Sequence, residues 1–410
     1  MTLMTENTDQ NQNLSLDDIK QFKDKDPWLY NKLLNIWEQK NLATRLESYP
    51  RDLSLPFSDS CNARCIFCSY WGSKPRFMSE EELVYYREIL KHLEFVGINP
   101  AGEPLLHPGF DAIITKIREM IDPRCSFYLV TNGIMLHLKE RVILDNIDSL
   151  TISLNASSQN THEVVMGVRN QFKQVVRNIE NISNNRERSR RKLDIYVTYV
   201  VLRQNLHEIP NVIRLCEEIG VDRIYFRNLA TANSNNPIKP TYNPHYLELQ
   251  PHLHENFRSL AQRAIYAIDS SKIEIVAEPN KWEEDISDDF WLSRIDHRAS
   301  PPFKVTTQKG NSIPGDQLEE WIAISEEEFP LTCQYLYKYM IDPRLSNIQP
   351  VCVYMETLPG YEPIAFNCHN FLEEVRNAPA MIALRKALKS GPRIPTVCTK
   401  CNILSAFKYS

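Results

Sequence analysis

Apolar residues recur along this chain with two different periods. From Ser15 to about Glu47 they fall at helix-like spacing, with Trp28, Leu29, Leu33, Leu34, Ile36 and Trp37 on one stripe, and Pro50 closes the segment. The residues ahead of it, 1–15, read as a polar, disordered lead. From Leu53 to about Leu229, short apolar runs alternate with amphipathic stretches. The runs are LSLPF near 52–57, LEFVGIN at 93–99, CSFYLVTN at 125–132, SLTISLN at 149–155, DIYVTYVVL at 194–202 and DRIYFRNL at 222–229. Between them lie SEEELVYYREILKHL, DAIITKIREM, FKQVVRNIENI and IPNVIRLCEEIG, the last stopped by Gly220. Six strands alternating with helices predict an α/β fold with a parallel sheet and crossover connections. The near-continuous apolar runs predict strands buried on both faces. An open doubly wound sheet and a partial barrel fit this periodicity equally well.

Beyond Leu229 the pattern loosens. Four regions are expected: a lead and helices over 1–51, the strand–helix core over 52–232, an irregular stretch over 233–330, and a small module over 331–410. Within the irregular stretch, LHENFRSLAQRAIYAI reads as a helix and KIEIVAEP as one more strand. Residues 281–330 carry twelve Asp/Glu against five Lys/Arg, so they read as an exposed insertion or linker. The last module holds five of the ten cysteines, as expected for a unit held by metal as much as by a core. Arg186, Arg188, Arg190, Arg191 and Lys192 form a basic run before the fifth strand. It reads as a solvated helix-to-strand loop rather than as a patch for an acidic partner.

Composition narrows the class. The 410 residues are 42% hydrophobic and 24% charged, an ordinary soluble composition with chain enough for a sizeable core. A net charge of -5 supplies no bulk attraction for nucleic acid or an anionic membrane surface. No apolar run approaches the roughly 18 residues of a membrane span. The start, MTLMTENTDQNQNLSLDD, resembles neither a secretory signal nor an Arg-rich transit peptide, so a cytoplasmic location is expected. In that compartment, clustered cysteines bind metal or do redox chemistry more often than they form disulfides.

Cys61, Cys65 and Cys68 lie in CNARCIFC, directly after the first strand. Three thiolates at x3 and x2 spacing can wrap one compact inorganic centre. They do not complete a four-iron cluster, in which each iron wants a thiolate, and one iron stays open to a non-protein group. With His107 or a distant cysteine as fourth ligand, the same spacing also suits a structural zinc site.

This loop resembles the CxxxCxxC signature of radical S-adenosylmethionine (SAM) enzymes, with Phe67 at the aromatic position before the last cysteine. The resemblance implies a [4Fe–4S] cluster on Cys61, Cys65 and Cys68, with S-adenosylmethionine on the open iron. It also implies reductive cleavage to a 5′-deoxyadenosyl radical and a partial (β/α)6, TIM-like barrel. Other family-like segments follow in order. Gly102, Glu103 and Pro104, in NPAGEPLLHP, resemble the segment that binds the methionine amino group, with Ala101 where the family has a first glycine. Thr131, Asn132 and Gly133 resemble a common turn after the third strand. Ser153 and Asn155, two residues apart and so on one strand face, resemble contacts to ribose and carboxylate. Arg203 and Asn205 after strand five and Arg227 on strand six are candidates to face cofactor or substrate, or to make surface ion pairs.

The C-terminal order is Cys333-x18-Cys352-x15-Cys368-x29-Cys398-x2-Cys401. Spacing alone allows a zinc ribbon-like site. Behind such a core, CQYLYKYMIDPRLSNIQPVC, FLEEVRNAPAMIALRKALKSG and PTVCTKC resemble the twitch/SPASM extension of the same enzymes. That implies one auxiliary iron–sulfur cluster on Cys333, Cys352, Cys398 and Cys401, and an iron content of about eight. Cys368 is left over, as an inert thiol, a replacement ligand or a hydrogen-atom donor. Cys125 and Cys216 read as small core residues.

The resemblance implies substrate hydrogen abstraction, driven by a one-electron reductant of the flavodoxin or ferredoxin kind. The leading reading is modification of a ribosomally made peptide by cross-linking or epimerisation. The alternative is oxidation of a small polar molecule such as an aminocyclitol or sugar, and a non-catalytic metal-binding protein is a third class. Glu278 on the extra strand is a candidate general base.

Overall fold

The computed structural model describes residues 15–55, 57–68, 76–98, 102–202, 204–227, 273–277, 339–341, 347–348, 364–365 and 371–389. The expected helical region before Pro50 is two helices, α1 (Leu16–Lys20) and α2 (Pro27–Lys40). It breaks because Asp26 caps α2, its side chain accepting the Leu29 N–H at 3.0 Å, with Pro27 as the first helical residue. Beyond Lys40 the chain is not helical as far as Pro50, which shortens the expected stretch by about two turns.

All six expected strands form: β1 (Asp52–Leu55), β2 (Phe95–Ile98), β3 (Ser126–Thr131), β4 (Ser149–Ser153), β5 (Asp194–Val200) and β6 (Arg223–Arg227). The extra strand expected in KIEIVAEP is β7 (Glu274–Ala277), parallel to β6. A strand that the sequence pattern missed, β8 (Tyr339–Ile341), lies parallel to β1 on the other edge. The order is β7-β6-β5-β4-β3-β2-β1-β8, and every pairing in this sheet is parallel. Because β1 to β6 follow one another with no reversal, the sheet has no switch point. It is the wall of a TIM-like partial barrel and not a doubly wound sheet. Two short strands, β9 (Asn347–Ile348) and β10 (Ile364–Ala365), pair antiparallel outside it.

The connections are α3 (Arg87–Leu90), preceded by a 3-10 turn at Glu81–Tyr86, then α4 (Phe110–Met120), α5 (Glu140–Asn146), α6 (Gln159–Met166), α7 (Phe172–Asn185) and α8 (Ile209–Glu218). Their apolar faces meet the outer face of the sheet, where Val96, Phe127, Leu129, Leu150, Ile152, Ile195, Val197 and Ile224 are 0% exposed. Cys125 and Cys216 belong to this core. The inner face differs from expectation. Tyr128, Val130, Thr151, Ser153, Tyr196, Thr198 and Tyr225 are all half-buried, so β3–β6 alternate instead of being buried on both faces. Among the described residues, helices meet the outer face, and the inner face carries hydroxyls and rings.

Four of the five residues of the basic run pair with acids. Arg186 pairs with Asp222, Arg190 with Asp145, Arg191 with Asp148 and Lys192 with Asp194. Toward the other end of the chain, a π-helical turn (Leu372–Arg376) is followed by α9 (Pro379–Lys389). Pro379 has no N–H to continue the first turn, so the chain restarts there. Among the described residues, no helix is long and apolar enough to cross a membrane.

Candidate active site

The segments singled out in the sequence converge on one edge of the sheet, the C-terminal ends of parallel strands, where ligands bind in such folds. Cys61, Cys65 and Cys68 follow β1. Phe67, half-buried, sits in a turn closed by the Cys68 N–H donating to the Cys65 carbonyl at 3.0 Å. Burial pushes the Cys65 thiol up, and the neighbouring sulfurs of Cys68 and Cys61 add to the shift. A bound positive centre reverses that preference, because a coordinating thiol gives up its proton.

The segment after β2 presses against the entrance to this loop. Gly102 has φ +67, and a Cβ there would stand 2.2 Å from the Ser58 carbonyl oxygen and 2.7 Å from that of Ser60. Glycine is therefore required twice, for the left-handed backbone and for the close approach. The Glu103 N–H donates to the Ser60 carbonyl at 2.7 Å. Pro104 then opens a short 3-10 turn.

The Glu103 carboxylate is buried. It accepts the Leu105 N–H at 3.1 Å, the Thr131 hydroxyl at 2.6 Å and the Asn132 N–H at 2.7 Å. Burial raises its pKa while these donors pull it down. These bonds brace the turn after β2 against the turn after β3. Asn132, expected as a cofactor contact, is turned to the cysteine loop. Its Nδ2 donates to Asn62 Oδ1 at 2.7 Å and lies 4.0 Å from Cys61 Sγ.

Ser153 ends β4 on the inner face, 3.4 Å from the Thr198 hydroxyl of β5. Asn155 does not share its environment. It lies past the strand with φ +55 and is buried, its Oδ1 accepting the Val200 N–H at 2.7 Å and its Nδ2 donating to Met166 Sδ at 3.3 Å. The turn after β4 ends the two-residue alternation, so the pair does not form one ligand face. Asn205 is likewise buried, donating to the carbonyls of Asn155 and Val200. Arg227 is exposed at the end of β6, over the Tyr225 ring. Behind it on the inner face, Arg223 pairs with Glu274 and donates to the Tyr225 hydroxyl at 2.8 Å.

His107 is no fourth ligand. Its Nδ1 accepts the Gly109 N–H at 2.9 Å, its Nε2 meets the Met78 carbonyl at 2.6 Å, and its ring packs on Phe57. Among the described residues, no three His, Cys, Asp or Glu side chains are arranged to hold a single metal ion. Three thiols on one loop can hold three irons of a four-iron cluster and leave the fourth open. Arg203, Glu278, Cys333, Cys352, Cys368, Cys398 and Cys401 lie outside the described residues.

Residues 55–216 match the family model of the Radical SAM superfamily. These residues are a radical SAM domain. A probable GTP 3′,8-cyclase of Saccharolobus islandicus is 25% identical over 182 residues, covering 43% of this chain and 56% of that protein. The GTP 3′,8-cyclase of Streptomyces coelicolor is 30% identical over 125 residues, 27% of this chain and 35% of that protein. The chain thus spans about half the length, or less, of these curated relatives. Among solved structures, Streptococcus suis SuiB bound to S-adenosylmethionine superposes with a TM-score of 0.57 at 15% identity. That match covers 97% of this chain and 78% of SuiB. SuiB has also been solved bound to its precursor peptide SuiA, with a TM-score of 0.56. At this identity the likeness is one of fold. The radical SAM match begins at Leu55, just before the cysteine loop, and ends in α8.

Sequence reasoning missed several residues that shape the radical SAM loop, chiefly Asn62, Met166 and Gly167. Gly167, in the left-handed region at the end of α6, was visible as a helix-stop glycine. Nothing in the spacing of Asn62 or Met166 marked them.

Proposed function

We propose that this protein is a radical SAM enzyme that abstracts a hydrogen atom from a ribosomally made peptide, leading to a cross-link or an epimerised residue. The observation that carries this reading is the Cys61–Cys65–Cys68 loop, braced by the turns after β2 and β3 on the ligand edge of a partial barrel. A [4Fe–4S] cluster on the three thiolates would supply the electron that cleaves the sulfonium of S-adenosylmethionine.

The chain's own residues do the rest. Gly102 lets the backbone of the second turn come close to the cluster loop, and Glu103 fixes that turn to the third. Ser153 and Thr198 offer hydroxyls on the inner face, where cofactor and substrate would meet. Cys333, Cys352, Cys398 and Cys401 are the proposed ligands of one auxiliary cluster. Cys368 is the proposed spare thiol, and Glu278 is a candidate base. A flavodoxin or ferredoxin class protein would deliver the electron.

A peptide substrate is supported by the fold shared with SuiB, which binds a precursor peptide. Oxidation of a small polar molecule is the second reading. It is favoured by the curated relatives, named for a reaction of GTP, and by the hydroxyl-lined inner face.

The test is anaerobic reconstitution of the full chain with iron and sulfide. The protein is expected to hold about eight iron atoms and, with dithionite and S-adenosylmethionine, to release 5′-deoxyadenosine. Replacing Cys61, Cys65 and Cys68 by Ala together should leave about four iron atoms and no 5′-deoxyadenosine. Cleavage that survives the triple change rejects the mechanism. Consumption of added GTP by the natural chain would replace the peptide reading with the second.

A further inference from the structure

The cysteine loop does not stand on its own. Its inner side lies along the last turn of α6. The Arg64 N–H donates to the Met166 carbonyl at 3.0 Å, and the Ile66 N–H donates to the Val165 carbonyl at 3.0 Å. These carbonyls belong to the end of a helix, where backbone acceptors lack partners within the helix itself. The loop's amides supply the missing donors. Between those two amides sits Cys65, and its Sγ lies 3.7 Å from Met166 Sδ.

The chain leaves α6 at Gly167, with φ +63. A Cβ at this position would stand 2.3 Å from the Arg64 carbonyl oxygen and 2.8 Å from the Arg64 Cβ. Two separate demands therefore meet at one residue: the left-handed turn that ends the helix, and direct contact with the backbone between the first two cysteines.

The helix end is itself anchored. Met166 is 1% exposed, and its sulfur also receives the Asn155 side-chain amide, which holds the end of β5 through the Val200 N–H. At the start of α6, the Glu208 carboxylate accepts the Ser157 N–H at 2.5 Å and the Thr161 hydroxyl at 2.7 Å, and it also bonds Ser158. Both ends of α6 are thus tied to the top of the barrel before they meet the loop.

We propose that the α6 end, Val165–Met166–Gly167, is a template that gives the Cys61–Cys68 loop its ligand-presenting shape ahead of metal. Met166 and Gly167 act as positioning residues for Cys65. The inference rests on the reading of the three cysteines as cluster ligands, but the shape of the metal-free loop can be measured without it.

The experiment is iodoacetamide labelling of the metal-free full chain, with the rate at each cysteine read by peptide mass spectrometry. Cys125 and Cys216, buried in the core, report on the fold as a whole. Gly167→Ala is expected to speed labelling of Cys65 about tenfold, as a local opening does, with Cys125 and Cys216 unchanged. Met166→Leu keeps volume and backbone bonds, and a rise of about threefold is expected at Cys65 alone.

Unchanged labelling of Cys65 in both variants overturns the proposal. So does a rise at Cys125 and Cys216 in step with Cys65, because Gly167 would then serve general stability. If Met166→Leu alone unfolds the protein, the same three rates in Gly167→Ala decide. Iron content separates the two levels. After reconstitution, Gly167→Ala should hold about four iron atoms fewer than the natural chain, as should Cys65→Ala. If Cys65→Ala loads as much iron as the natural chain, the cluster assignment fails. The template then stands or falls on the labelling rates.

Discussion

The Glu103 carboxylate accepts the backbone N–H of Asn132 at 2.7 Å, although 29 residues separate them. Through this bond the turn after β2 sets the turn after β3, and Asn132 in turn reaches Asn62 in the cysteine loop. Three donors in a buried site depend on one side chain.

Removing that side chain leaves all three donors without an acceptor. Glu103→Ala is expected to cost about 3 kcal/mol, since each buried group left unsatisfied costs roughly 1–3 kcal/mol. Glu103→Gln should cost less but still lower stability, because its amide NH2 offers a donor where one of the donors needs an acceptor. Urea midpoints at constant slope measure both changes. A Gln variant within about 0.5 kcal/mol of the natural chain would show that the three donors do not need both carboxylate oxygens as acceptors.

His162 gives a pH dependence with a definite sign. It is 0% exposed on α6, next to the Phe172 ring, and neither ring nitrogen has a hydrogen-bond partner among the described residues. Burial lowers its pKa to about 4, against 6.5 in an exposed chain. Between those values the unfolded chain binds a proton that the folded chain refuses. The contribution to stability is therefore intact above about pH 6.5 and is lost as pH falls toward 4. The loss is about 3 kcal/mol over that window at about 1.4 kcal/mol per pH unit. His162→Leu should remove this slope and leave stability at pH 7 unchanged or higher. The measurement is the difference between the two urea-derived stability profiles from pH 4 to 7. Parallel profiles would show that the imidazole is not held neutral.

The strands were legible because each carries apolar side chains at every second position facing the helices, and that alternation survives any choice of architecture. The architecture itself was not legible, since local periodicity does not record which strand neighbours which. The order β1 to β6 without a reversal decided it. At the site, the clustering of the three cysteines was readable from spacing, and Gly102 was singled out by resemblance to a family segment. Glu103 and Asn155 were singled out by their resemblance to ligand-contacting segments of the family. The fold uses both to tie loops together, and residue type alone does not separate these two uses of a polar side chain. The part played by Met166 was invisible, because its partner, Cys65, lies 101 residues away. The same applies to β8, a three-residue strand too short to show a period.

Asn377 provides a last test, across a separation of 331 residues. Its Oδ1 accepts the Leu46 N–H at 2.8 Å, and its Nδ2 donates to the Leu46 carbonyl at 2.7 Å. The side-chain amide thus pairs with a buried stretch of backbone as a neighbouring strand would. Around it, Arg385 donates to the Thr44 carbonyl at 2.8 Å, and Phe371 stacks on Tyr49. Asn377→Ala leaves the Leu46 N–H and carbonyl without partners and is expected to cost about 2 to 4 kcal/mol. Asn377→Asp keeps the acceptor but sets a second oxygen against the Leu46 carbonyl, so it should not restore stability above pH 5. As pH falls and the carboxyl protonates, its O–H can donate to that carbonyl, and the Asp variant should regain part of the loss relative to the Ala variant. Urea midpoints of the three chains at pH 4 and pH 7 decide the matter. An Ala variant as stable as the natural chain would mean that the contact between residues 44–49 and 371–389 does not depend on this amide.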